Sequence, residues 1–106
     1  MQITVKPTDS SDISLLGEWE RCSEWLESAL KYSNGTHTLT DVLESVMRGD
    51  AQFWHYHDSA VVTEIMDYPQ KRVLRYWLAG GNLKTLLKVE PDIRHWSQLW
   101  GCVGIE

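Results

Sequence analysis

Two segments of the chain repeat apolar residues at the spacing of an amphipathic helix. The first covers about residues 13–31, and its apolar positions are Leu15, Leu16, Trp19, Cys22, Leu26, Ala29 and Leu30. The second covers about residues 40–48, with a stripe of Val42, Leu43, Val46 and Met47. Thr38 and Asp41 have the spacing of a capping box, and Gly49 suits a helix end. We therefore predict two helices in the first half of the chain.

Alternating apolar and polar residues predict short strands at residues 1–7, 51–57, 60–67, 72–78 and 102–106. Tight turns at residues 57–59 and 68–71 join the middle three strands as antiparallel hairpins. A helix begins near Leu83, and we expect Pro91 to divide it into two pieces. The order β-α-α-β-β-β-α-β describes an α/β fold with a mixed sheet, in one domain over residues 1–106. The helical crossover makes the last two strands parallel.

The net charge argues against partners with a strongly anionic surface, namely nucleic acid and anionic membranes. The chain carries a formal charge of −5, and its 10 basic residues are scattered. Binding to nucleic acid or to an anionic membrane needs clustered basic residues, so neither is expected. The sequence has neither an apolar run of about 20 residues nor a secretory signal, and we expect a cytoplasmic protein. Cys22 and Cys102 lie on apolar patterns and are predicted to be reduced and buried.

Tryptophan is unusually frequent, with six in 106 residues. Such rings fill the core of a small domain, and they also anchor protein interfaces. We expect most of them in the core, with one or two left for a partner. Trp54 and Trp77 are the candidate partner-binding rings.

Two histidines on one predicted strand have the spacing to supply two ligands of a metal site. His55 and His57 are two residues apart, so a strand places them on the same face. A metal site needs a third ligand, and Asp58, Glu64 and His95 are candidates without fixed positions nearby. We favour an ordinary hairpin end and predict no metal.

The second half of the chain resembles a known family. "AVVTEIMDYPQKRVLRYWLAGG" followed by "WSQLWGCVGIE" is similar to small GNAT-like (Gcn5-related N-acetyltransferase) proteins of tailed bacteriophages and prophages. The similarity covers about residues 51–106, and the first half agrees only in its layout of a strand and two helices. It implies a GNAT-like fold that lacks the family's C-terminal strands. It also implies acetyl-coenzyme A binding at the turn after the fourth strand.

The glycine segment "LAGGNL" has two interpretations. The resemblance implies that Gly80, Gly81 and Asn82 offer backbone amides to a pyrophosphate at a helix N-terminus. The family's leading glutamine or arginine and its Gly-x-Gly/Ala spacing are absent from this stretch. The alternative is a plain turn, with glycines at positive φ and Asn82 as the helix cap. We favour the turn, and we expect no cofactor unless the chain is an enzyme.

Glu64 on the third predicted strand also has two interpretations. In GNAT enzymes a carboxylate on a central strand acts as a general base towards the acceptor amine, so the resemblance makes Glu64 the candidate catalytic residue. The alternative is a strand residue paired with Arg75 or Lys71 across the hairpin.

The early end of the predicted sheet suggests a way to bind partners. Without further strands, the apolar edge at Cys102, Val103 and Ile105 stays open to another chain. We expect a homodimer or a protein partner there, and sedimentation that finds only monomer would contradict self-pairing. The predicted function is a phage-derived binding protein that inhibits a host defence system. The alternative is an acetyl-CoA-dependent N-acetyltransferase.

Overall fold

The chain folds as a mixed α+β structure with three helices and a three-stranded antiparallel sheet. The computed structural model describes residues 6–32 and 35–106. Its elements are α1 (Leu15–Leu30), α2 (Leu39–Arg48), β1 (Ala51–His55), β2 (Ser59–Asp67), β3 (Arg72–Gly81) and α3 (Leu83–Leu99). The predicted helices and hairpins are confirmed. No helix in this described part has the length and apolar character that a bilayer span requires.

The sheet separates two apolar clusters, because successive strand residues point to opposite faces. Phe53 packs on the side of α1 and α2, where Trp19 contacts it edge-on at 5.0 Å between ring centroids. Trp54, the next residue, packs on the side of α3 with Trp96 at 5.3 Å. The fold therefore has three layers, with α1 and α2 on one face of the sheet and α3 on the other.

Helix α2 begins as its sequence predicts. The Thr38 hydroxyl accepts a hydrogen bond from the Asp41 amide at 3.2 Å, and the Asp41 carboxylate accepts one from the Thr38 amide at 2.8 Å. This reciprocal pair satisfies two of the donors that a helix leaves free at its first turn. Gly49 ends the helix at φ +84°. The predicted capping box is confirmed.

The predicted break at Pro91 is wrong, because α3 is a single helix over Leu83–Leu99 with Pro91 inside it. Proline removes one backbone hydrogen bond from a helix interior. Ile93 is fully buried against the sheet and Trp96 is 8% exposed, so the second half of α3 is held by packing. Burial of these two side chains outweighs the lost bond.

The predicted turn at the two glycines is also wrong in part. β3 extends through Gly80 and Gly81, which pair with Ala60 and Ser59 of β2. The turn begins only at Asn82, whose side chain accepts hydrogen bonds from Lys84 N at 2.9 Å and Thr85 N at 3.3 Å. The predicted helix cap is confirmed, and so is the positive φ of Gly81, +108°, but the positive φ predicted for Gly80 is wrong.

Of the two predicted terminal strands, only the last lies fully within the described residues. The last segment meets β3 in parallel at a single bridge between Leu74 and Ile105, so the parallel orientation is confirmed but the extended strand is not. Leu74 donates to Gly104 O at 3.0 Å and accepts from Glu106 N at 2.7 Å. The predicted first strand at Ile3 and Val5 lies outside the described residues.

Candidate functional site

A large open cavity lies between the C-terminal half of α1 and the end of β3. It measures about 780 Å³, and we call it the aromatic groove. Its lining consists of Trp25, Ser28, Ala29, Tyr32, Asp58 and residues 77–82. Three aromatic side chains therefore converge on one open cavity: Trp25 and Tyr32 from the α1 side and Trp77 from β3.

The spacing along α1 produces one wall of the groove. Ser28 and Ala29 lie three and four residues after Trp25, and Tyr32 lies three residues after Ala29, so the four residues share one face of the helix and its end. Trp25 is half-buried against the core, while Tyr32 is 91% exposed. The apolar pattern predicted only Ala29 of these residues, because Trp25, Ser28 and Tyr32 flank the buried stripe.

Small residues on β3 produce the opposite wall. Gly80 lies so close to α1 that a Cβ at this position would come within 2.6 Å of the Trp25 carbonyl oxygen. Only glycine allows β3 to approach α1 this closely at position 80, and Gly80 and Ala79 line the cavity opposite the helix.

A second cavity of about 420 Å³ continues the groove across the sheet. It shares Tyr32 and Trp77 with the first cavity and adds His37, Glu64 and Arg75. The rings of His37 and Trp77 meet edge to face at 5.1 Å between centroids. Trp77 lines both cavities and is the more buried of the two rings that they share, so we call it the central ring of the groove.

Three backbone donors at the predicted cofactor site, the amides of Asn82, Lys84 and Thr85, are engaged within the protein. Gly81 belongs to the β2–β3 pairing, and Asn82 N donates to Asp58 O at 3.0 Å. The next amides of α3 are bound by the Asn82 side chain. A pyrophosphate needs free donors at a helix N-terminus. Asp58 lines the same cavity and would place a negative charge near the pyrophosphate. Acetyl-CoA binding at Gly80, Gly81 and Asn82 stays a prediction.

Glu64 lies opposite Arg75 in the β2–β3 register, and the closest approach of carboxylate and guanidinium is 3.8 Å. The predicted cross-strand pair is thereby confirmed. The Glu64 side chain is 24% exposed and faces the second cavity. A role as general base stays a prediction.

The six tryptophans divide between the core and the surface. Trp19, Trp54 and Trp96 are buried, Trp25 and Trp77 are half-buried at the groove, and Trp100 is 56% exposed. Burial of the core rings follows from their large apolar area. Of the two predicted partner-binding rings, the structure places Trp77 in the groove. Trp54 is 2% exposed and is enclosed by the α3-side cluster, so its ring is not at the surface.

The predicted binding edge is exposed only in part. Cys102 is 5% exposed and packs with Trp54 and Trp96, which removes it from the candidate surface. Val103 is 75% exposed and Ile105 is 38% exposed. Among the described residues, nothing bonds to the backbone N–H or C=O of Ile105 on its outer side. The predicted homodimer stays a prediction.

The two histidines of the first hairpin take part in local contacts. His55 Nδ1 lies 3.2 Å from Glu18 Oε2 of α1. The carbonyl oxygens of Tyr56 and His57 accept hydrogen bonds from the Arg21 guanidinium at 2.8 and 3.1 Å. Within residues 6–32 and 35–106, no three metal-binding side chains are grouped. These contacts fasten α1 to the β1–β2 turn.

No family model, curated protein or solved structure matches this chain. The aromatic groove and the contacts around it are therefore the basis for any functional conclusion. The GNAT resemblance stays a prediction.

Two buried tyrosine hydroxyls lie beneath α3. Neither Tyr56 Oη nor Tyr76 Oη has a hydrogen-bond partner among the described residues. Burial raises the pKa of Tyr56 to about 12, with a smaller contribution from the Asp92 carboxylate. Burial also raises the pKa of Tyr76 to about 12, and Glu90 adds to the effect. Both phenols are therefore held neutral in the folded state well above their ordinary range.

We expect the protein to lose stability between about pH 10 and pH 12. In this window the unfolded tyrosines release protons that the folded ones retain, so the free energy of unfolding falls as the pH rises. Each tyrosine contributes about 1–2 kcal/mol after allowance for solvent screening. Urea unfolding at both ends of the window measures this loss.

The controls are single phenylalanine variants. Tyr56→Phe and Tyr76→Phe should each remove part of the alkaline loss, and at neutral pH each should match or exceed the wild-type stability because no hydrogen bond is lost. Tyr32→Phe alters an exposed ring and should keep the whole loss. Equal alkaline loss in all three variants would contradict the assignment.

Proposed function

We propose that this chain is a non-enzymatic binding protein that holds a segment of another protein in the aromatic groove. The observation that carries the proposal is the convergence of Trp25, Tyr32 and Trp77 on one open cavity. Tryptophan and tyrosine dominate the energetics of protein interfaces, since a large ring buries much apolar area with few torsions to fix. The two cavities share Trp77 in their lining, so an extended segment that occupied both would contact more of the protein than a ligand in one of them.

The polar groups around the groove support binding over catalysis. Glu64 faces Arg75, and the amides near Asn82 are used by Asp58 and by the Asn82 side chain. These groups have structural partners, whereas the Tyr32 ring is 91% exposed and the half-buried rings of Trp25 and Trp77 line the open cavity. A phage origin and inhibition of a host system stay predictions, as does the acetyltransferase alternative.

Selection from a random peptide display library tests the proposal. Peptides selected on the wild-type protein should bind the Trp77→Ala variant at least about tenfold more weakly, because a central interface ring is replaced. The matched control is Trp100→Ala, which removes a 56% exposed tryptophan outside the groove and should leave affinity unchanged.

Two results would contradict the proposal. One is a set of selected peptides that bind Trp77→Ala as tightly as the wild type. The other is a rise in stability with acetyl-CoA of about 2.7 kcal/mol, the shift expected for a ligand at a hundred times its dissociation constant. The second result would favour the enzyme.

A further inference from the structure

We infer that the aromatic groove takes a cationic side chain, the guanidinium of arginine or the ammonium of lysine, from a basic segment of the partner protein. This inference rests on the proposed function and adds the chemistry of the partner. Three features of the groove carry it: its rings, the Asp58 carboxylate and the charge of the surrounding surface.

The aromatic rings attract cations through their electron-rich faces. A cation within about 6 Å of a ring centroid gains from the ring quadrupole, and tryptophan is the strongest partner. The protein already contains one such contact, because the Arg21 guanidinium carbon lies 5.7 Å from the Trp25 ring centroid. That arginine is fixed by Glu18 and the β1–β2 turn and does not line the groove. Tyr32 and Trp77 offer further rings to a cation from outside.

Asp58 supplies a counter-charge at the end of the groove. Its backbone carbonyl accepts the Asn82 amide, but its carboxylate accepts no hydrogen bond from the described residues. The residue is half-buried and lines the cavity. A partly desolvated carboxylate gains from a charge-assisted hydrogen bond, and an arginine or lysine side chain donates one.

The surface around the groove favours a basic segment. Within the described residues no lysine, arginine or histidine lines the first cavity, whereas His37 and Arg75 line the second, so we assign the cationic side chain to the first cavity, beside Asp58. Helix α1 carries Glu18, Glu20, Glu24 and Glu27 against a single arginine, and the whole chain has a formal charge of −5. Complementary charge accelerates encounter with a basic partner and disfavours an acidic one.

The N-terminus of α3, which lies beside Asp58 at the same end of the groove, opposes this preference. A helix N-terminus favours anions. Its amides at Lys84 and Thr85 are already bound by the Asn82 side chain, which leaves little for an external anion. The aromatic rings and Asp58 therefore make the groove favour a cation over an anion.

Short glycine–serine peptides that carry two arginines test the inference. The controls are the same peptides with citrulline, which is neutral, or with glutamate in place of arginine. Nuclear magnetic resonance titration should show saturable shifts of the Trp25 and Trp77 indole signals with the arginine peptide. We expect the citrulline peptide to bind about threefold to tenfold more weakly, and the glutamate peptide more weakly still.

Matched variants locate the site. Asp58→Asn and Tyr32→Ala should each weaken the arginine peptide about threefold, and both should keep the fold because Asp58 bonds through its backbone and Tyr32 is 91% exposed. Asp92→Asn removes an exposed carboxylate on α3, and Trp100→Ala removes an exposed ring, so neither should change affinity. Equal loss in the control variants, or equal binding of the citrulline peptide, would overturn the inference.

The outcomes separate this inference from the proposed function. Library peptides that need Trp77 but contain no arginine or lysine would leave the binding function standing and overturn the cationic preference. Absence of any peptide that depends on Trp77 would overturn both.

Discussion

Replacement of Gly81 by alanine is expected to lower the free energy of unfolding by about 3 kcal/mol. Gly81 has φ +108°, a conformation that residues with a Cβ rarely adopt. A Cβ there would also overlap the Asp58 carbonyl oxygen and come within 2.5 Å of Ser59 Cα. Both neighbours are backbone atoms, so they can move only if the β1–β2 turn moves with them. Urea unfolding followed by far-ultraviolet circular dichroism measures the loss.

Gly80 and Gly17 provide comparisons for this substitution. Gly80→Ala should cost about 1–3 kcal/mol, because its Cβ would approach the backbone of Trp25. Gly17 lies within α1 with nothing within 4 Å of its added Cβ, so Gly17→Ala should stabilise the protein by about 0.5–1 kcal/mol. Similar effects at all three positions would contradict the described contact between β3 and α1.

Replacement of Trp54 by alanine is expected to cost about 3–5 kcal/mol. The ring is 2% exposed and packs edge-on against Trp96. Its indole N–H donates to the Thr63 hydroxyl at 3.0 Å, and that hydroxyl donates in turn to Gln52 at 2.9 Å. The substitution would leave a cavity and remove one member of this hydrogen-bond chain. Calorimetric unfolding should therefore give a much lower midpoint.

Trp77→Ala is the matched comparison for Trp54→Ala. Trp77 is half-buried and lines the groove, so its loss should cost about 1–2 kcal/mol of stability while it abolishes most peptide binding. Trp54→Ala should show the reverse: a large loss of stability, and near-normal peptide affinity for the fraction that stays folded. The division of the rings between core and groove would be wrong if Trp77→Ala were the more destabilising change.

The sequence predicted elements whose signal is local. The apolar stripe of α1 and the capping residues Thr38 and Asp41 lie within a few positions of one another, so periodicity suffices to place the helices. Strand alternation placed Phe53 and Trp54 on opposite faces for the same reason.

The sequence did not predict features that depend on contacts between residues far apart along the chain. Pro91 stays inside a helix because Ile93 and Trp96 are buried by strands far away in sequence. Gly80 and Gly81 look like a turn, yet pairing with Ser59 and Ala60 makes them strand. The candidate site shows the same limit, since Asp58 meets Trp25 and Trp77 only after the fold has formed. Local propensity carries no information about such contacts.

The close approach at Gly80 has a consequence for how tightly the groove can hold a ligand. Strand β3 and the backbone at Trp25 are in contact, so two walls of the groove belong to one rigid unit before any ligand arrives. A pre-organised host loses little conformational entropy on association. The entropic cost of complex formation then falls on the incoming segment and on the exposed ring of Tyr32. Stiffening that segment, for instance by cyclisation, is the direct way to obtain a stronger ligand.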